Sequence, residues 1–161
     1  MNCPNCKRKM SSKRLASYEV GALLGMRSVT VRKVPVLVCP KCREVILDGS
    51  LLDSLHELLL RDILSNGHVL GGEEVRFIRK ALGLSQASLA DRLGVHRVSV
   101  ARWESSEIPP DGPTSVAIRA LAAIRLISKP TKGKENQRVK ESFEKPLTPA
   151  VHGSYTLDAT G

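Results

Sequence analysis

No stretch of this chain is apolar for long enough to cross a bilayer, and its first residues, MNCPNCKRKM, lack the apolar segment of an export signal. A cytoplasmic location is the expectation. Cysteine is scarce: the chain has four among 161 residues, confined to Cys3-Pro4-Asn5-Cys6 and Cys39-Pro40-Lys41-Cys42. Without export, a pair of structural disulfides is out of place. No βαβ pattern accompanies the cysteines, so the usual setting of a redox Cys-x-x-Cys is missing too. Nothing in the sequence reads as a Ser-His-Asp set, a catalytic pair of carboxylates or a phosphate-cradling loop, and no enzymatic role is expected.

What the cysteines do offer is geometry. Each Cys-Pro-x-Cys is a tight turn that aims two sulfurs at one point, so the two pairs present four thiolates to a tetrahedral ion. The residues around them are mostly too polar to build a core, and a bound metal would have to fold this end. One structural Zn²⁺ per chain, held by Cys3, Cys6, Cys39 and Cys42, fits better than a redox pair or an iron–sulfur centre. Four sulfurs leave no open position for catalysis.

The formal charge of +9 points to an anionic partner, nucleic acid first. It is unevenly spread. Residues 1–45 hold ten Lys and Arg against two acids, whereas 46–72 hold one against four. A Zn(Cys)₄ centre is itself about −2. Lys7, Arg8, Lys9, Lys41 and Arg43 therefore balance their own metal site as readily as they meet DNA.

The pattern predicts an α+β chain in four parts: a zinc-ribbon-like β domain (1–47), a helical connector and hinge (48–72), an all-α helix-turn-helix domain (73–128) and a disordered tail (129–161). Residues 28–34 and 36–38 read as strand feeding the second cysteine pair, with 18–24 a weaker strand candidate. Residues 50–65 read as a helix capped by Ser50, with Gly71-Gly72 a hinge. His56 and His68 have no ligand spacing and read as surface or packing residues. The tail is rich in Pro, Lys, Glu, Gly and Thr with few large apolar residues.

Residues 86–105, QASLADRLGVHRVSVARWES, meet the demands of a helix-turn-helix. Ala90 is small enough for a second helix to cross the first, and Gly94 can take the positive φ of the turn. Leu89, Leu93, Val95, Val100 and Trp103 form a shared seam; Ser85 and His96 stand where the two helices need caps. At about 100° per residue, Val100 and Trp103 fall inside, and Arg97, Val98, Ala101, Arg102 and Ser105 fall outside. Arg97 and Arg102 are then candidates for guanine edges or phosphates, Val98 for a thymine methyl, and Ser85 and Gln86 for a phosphate at the first helix. Arg79, Lys80 and Arg92 are weaker phosphate candidates, and Glu104 suits a neighbouring arginine better than DNA. The helix over 114–127, with Val116, Ile118, Leu121, Ile124, Leu126 and Ile127, serves either a dimer interface or simple core packing.

Residues 82–110, LGLSQASLADRLGVHRVSVARWESSEIPP, resemble the Xre/Cro-type helix-turn-helix family. Two Cys-x-x-Cys pairs, a helical segment and then this motif resemble MqsA-type antitoxins, in which a YgiT-type zinc domain precedes the DNA-binding domain; the resemblance covers residues 1 to about 128. It implies that Cys3, Cys6, Cys39 and Cys42 are zinc ligands and that Arg102 reads a base. The family's second reader, an asparagine, falls on Val98. It further implies a homodimer on a palindromic operator in double-stranded DNA, repression of its own operon, and a toxin held by the zinc domain. The competing readings are a stand-alone Xre-type regulator whose zinc domain binds another protein, and a thiol redox sensor.

Overall fold

The computed structural model describes residues 1–127 and 154–159 of the chain. Its elements run β1 (Ser11–Glu19), α1 (Gly21–Leu24), β2 (Val29–Val38), β3 (Val45–Ile46), α2 (Gly49–Ser65), α3 (Gly72–Ala81), α4 (Gln86–Leu93), α5 (Arg97–Glu104), α6 (Gly112–Ile127) and β4 (Tyr155–Asp158). A sheet at the N-terminal end and a bundle of helices after it make the chain α+β, as the pattern predicts.

β2 is the spine of the sheet. It pairs antiparallel with β1 along most of its length and with β3 at Leu37 and Val38. The buried positions run Val29, Val31, then Val34, Val36, so the alternation shifts phase by one residue. Lys33 stands at the shift with φ of +53°, and both Arg32 and Lys33 face solvent. A strict two-residue period would have buried Lys33. The break lets both halves of β2 direct valines to one core.

Asp48 rather than Ser50 caps α2: its carboxylate accepts from the Ser50 backbone N–H at 2.9 Å. Leu55, Leu59, Leu60, Ile63 and Leu64 are buried along the helix. They join Val29 and Val31 of the sheet, Val75 and Ile78 of α3, and Ile118 and Ala122 of α6 in one continuous core. Segment 48–72 is thus a packed layer between sheet and bundle. Gly71-Gly72, expected as a hinge, instead starts α3. A Cβ on Gly72 would lie 2.3 Å from the Trp103 carbonyl oxygen, so the glycine is there to let α3 abut the end of α5.

The end of the chain departs from expectation. Tyr155–Asp158, placed within a disordered tail, forms β4, which lies parallel to β2 from Val29 to Arg32; residues 129–153 fall outside the described residues. Tyr155 and Leu157 point inward and are buried. Four residues are too few to announce a strand. The open edge of β2, alongside which β3 is only two residues long, supplies the missing partner.

Beneath β4 lies a buried polar knot. Glu74 accepts from the Gly71 N–H at 2.7 Å, which half-closes a capping box on α3. It also accepts from the Tyr155 hydroxyl and meets His68 Nε2 at 2.9 Å. Burial, then the Glu74 charge, raises the Tyr155 hydroxyl above its ordinary range, so it remains a donor. Arg119, 1 % exposed, donates to the carbonyls of Asn66 (2.6 Å), His68 (3.1 Å) and Leu64, satisfying the end of α2 from α6. Tyr155→Phe removes one donor from a buried carboxylate and should cost about 1–3 kcal/mol. Urea denaturation checks it, and an unchanged midpoint would show that the hydroxyl's bond to Glu74 contributes nothing to stability.

Candidate nucleic-acid interface and metal centre

The two cysteine turns are built alike. Lys7 N–H donates to the Cys3 carbonyl at 2.9 Å and Arg43 N–H to the Cys39 carbonyl at 3.0 Å. Cys3 N–H returns to the Arg8 carbonyl at 2.8 Å, and Cys39 N–H to the Glu44 carbonyl at 2.9 Å. Lys7 and Arg43, each next after its pair's second cysteine, both sit at φ of +59°. The repeat places four sulfurs together: Cys3 Sγ to Cys42 Sγ is 3.4 Å, Cys6 Sγ to Cys39 Sγ is 3.3 Å, and all four lie within 4.8 Å of one another. A disulfide would need about 2.0 Å. A tetrahedron with metal–sulfur bonds of about 2.3 Å has edges near 3.8 Å, so the arrangement suits a metal ion with slight expansion.

The thiols strain against one another. The backbone N–H of Cys42 leads in drawing Cys39 down to about 6, against burial and with help from Lys41 N–H and the Cys6 and Cys42 thiols. Cys42 is pushed up to about 12: the Glu44 N–H favours its thiolate, but Cys3, Cys39 and burial outweigh it. Four sulfurs this close cannot all ionise without a cation between them. The cluster can therefore hold a metal, and among the described residues Met10, Leu37 and Ile46 join the cysteines in a small core of their own.

α4 and α5 form the helix-turn-helix. Ser85 Oγ accepts from Ser88 N–H at 3.0 Å, and His96 Nδ1 accepts from Val98 N–H at 3.3 Å, so both caps stand where the sequence places them. Gly94 has φ of +66°, and Val95 N–H reaches back to the Ala90 carbonyl at 3.0 Å to close the first helix. Val100 and Trp103 are buried. Arg97, Val98, Arg102 and Ser105 are exposed, with Ala101 half-buried. Val98, a bare apolar side chain, is 50 % exposed near the start of α5.

Two residues differ from their sequence reading, and a third has an added partner. Gln86 is half-buried, and its Nε2 donates to Glu104 at 2.9 Å, which turns it inward from the phosphate position expected of it. Arg79, a phosphate candidate, is held inside: its Nε and Nη2 bind the two Glu104 oxygens at 2.5 and 3.1 Å, and Nη1 donates to the Leu84 carbonyl at 2.7 Å. Arg102 is exposed as expected but not solitary; Glu107 accepts from it, a partner that sequence reading missed.

Glu104 is the hub. It is 4 % exposed, and Arg76 reaches both its carboxylate (3.8 Å) and its backbone carbonyl (2.6 Å). Burial raises its pKa, but the Arg79 and Gln86 hydrogen bonds and the Arg79 and Arg76 charges overcome this and hold it below the ordinary carboxylate range. The expectation that Glu104 holds a neighbouring arginine is met twice over. This network ties α3 and α4 to the last residue of α5 and sets the pose of the exposed face.

On α6 the apolar residues divide. Ile118 and Leu126 are in the core and Leu121 packs against it, while Val116 and Ile124 face solvent at 41 % and 67 % exposure. No helix among the described residues is long and apolar enough to cross a membrane.

Residues 75–121 match the helix-turn-helix family model. Over 49 residues the chain is 41% identical to repressor protein C2 of Salmonella phage P22, an alignment covering 30% of this chain and 23% of that repressor. The family match thus lies in the helical part, and the chain spans under a quarter of that repressor's length.

Proposed function

We propose that this chain is a sequence-specific DNA-binding transcriptional repressor, and that its N-terminal sheet is a zinc-stabilised platform for a protein toxin, as in an antitoxin. The observation that carries the DNA reading is the exposed row Arg97, Val98 and Arg102 on a helix whose opposite face, Val100 and Trp103, is locked in the core. A helix so mounted can enter a major groove, with arginines to bind guanine or phosphate and a valine to meet a thymine methyl. The family match and the repressor relative support the same reading.

The described chain has one recognition helix. Two copies related by a two-fold axis would place two such helices about 34 Å apart on a palindromic operator, with Val116 and Ile124 of α6 as the surface through which they meet. The cytoplasm is the matching location. Cys3, Cys6, Cys39 and Cys42 would hold the zinc, which supplies folding energy and no chemistry. Against a redox sensor, the thiols should resist alkylation until a chelator is added. The antitoxin reading rests on the order of the modules, cysteine pairs ahead of the helix-turn-helix. Co-purification with the product of the adjacent reading frame tests it, and an operon without a small toxic neighbour would leave a stand-alone regulator.

Arg102→Ala tests the DNA reading directly. It should cost about 1–3 kcal/mol on the best duplex and relax the preference at one base step. Binding measured at moderate salt that is unaffected by the substitution would remove α5 from the groove.

A further inference from the structure

α5 ends in a way that places an acid beside its arginine. Ser106 N–H donates to the Trp103 carbonyl at 2.9 Å and Glu107 N–H to the Arg102 carbonyl at 3.0 Å, the two bonds of a Schellman turn. The residue that takes the left-handed position is Ser106, at φ of +61°. A glycine would hold that conformation more cheaply than a serine, whose Cβ crowds the following carbonyl oxygen. The turn folds Glu107 back over the helix it has just left. Its Oε1 accepts from Arg102 Nε at 2.9 Å and lies 2.9 Å from Nη2.

This contact does little for stability. The two side chains are 46 % and 57 % exposed, and ion pairs in such surroundings contribute next to nothing. Its consequence is orientation. The carboxylate takes the Nε–Nη2 edge of the guanidinium and leaves the Nη1 hydrogens and the second Nη2 hydrogen to point outward, a pair of donors that matches guanine O6 and N7. It also sets a negative charge where a loosely held arginine would otherwise swing onto a phosphate.

We propose that Glu107 is a positioning residue: through Arg102 it directs α5 towards a guanine edge and suppresses sequence-independent phosphate binding. This inference rests on the DNA-binding reading above.

The test begins with full-length protein selecting duplexes from a randomised pool. Wild type, Glu107→Gln, Arg102→Ala and the double variant are then titrated, over a salt series, against the selected duplex, against the same duplex with each guanine replaced in turn, and against an unrelated duplex. Glu107→Gln should lose about tenfold of its discrimination at one guanine, in the range set by a single mismatch. It should bind the unrelated duplex more tightly, with a salt slope steeper by about one phosphate contact. In the Arg102→Ala background the same change should do nothing further. Unaltered discrimination in Glu107→Gln overturns the inference, and so does an equal loss without Arg102. If wild type enriches no sequence at all, the DNA reading itself falls and takes the inference with it.

Discussion

Cys39→Ser should abolish metal binding and unfold the chain from the cysteine turns inward, while the helices keep their structure. Among the described residues, the small core around the turns adds Met10, Leu37 and Ile46 to the cysteines, and Leu37 and Ile46 are only partly buried. So little apolar burial cannot offset the entropy of ordering the turns and their flanks, and a tetrahedral metal, which contributes folding energy outright in small cysteine sites, is what can hold them.

The boundary of the unfolding follows from β2. Its Val29, Val31, Val34 and Val36 belong to the main core with α2, so the melt should stop near the C-terminal end of the strand, just beyond Val36. Atomic emission should find one zinc per chain in wild type and none in the variant. Hydrogen exchange should show protection lost over residues 1–10 and 39–46 and retained over α3 to α6. Full protection of the turns after demonstrated metal loss would refute a folding role for the ion.

A fragment from about residue 70 onward would break the packing. Arg119 donates to the carbonyls of Leu64, Asn66 and His68, and cutting at 70 would remove these three acceptors. An autonomous helical unit has to begin near Asp48.

Glu104→Ala is the second large effect, about 3–5 kcal/mol, because it leaves the enclosed Arg79 without its counter-charge and Gln86 without its acceptor. The pH dependence gives an independent check. Glu104 is held below the ordinary carboxylate range in the folded state. Its contribution is therefore complete above the unfolded value, near 4.3, and is lost as pH falls through the lower folded value. Urea titrations at neutral pH should separate wild type from variant by the full amount, and the gap should narrow in acid. A gap that is constant with pH would mean that the penalty is one of packing and not of charge. Weakened DNA binding should accompany the loss, since the same carboxylate fixes the end of α5.

The local signals in the chain were legible without coordinates. Cysteine spacing announced the cluster of four sulfurs, Gly94 and the seam of Leu89, Val100 and Trp103 announced the helix-turn-helix, and the wheel over α5 separated its inner from its outer face. Each depends on neighbours within a turn or two, or on four residues of a rare type. Glu104 was legible only as a partner for some arginine; which arginine depended on how α3 crosses α5.

What the tertiary structure alone decided is long-range. β4 exists because β2 has a free edge, and no pattern in YTLD reports an edge more than a hundred residues away. The polar knot of His68, Glu74, Tyr155 and Arg119 needs segments far apart in the chain brought together, and the removal of Arg79 and Gln86 from the exposed face needs α3, α4 and α5 in contact. Arg102 was named by its place on the helix. That Glu107 would stand beside it depended on Ser106 adopting a left-handed turn, a conformation that serine ordinarily avoids and that the close packing of α3 against α5 holds in place.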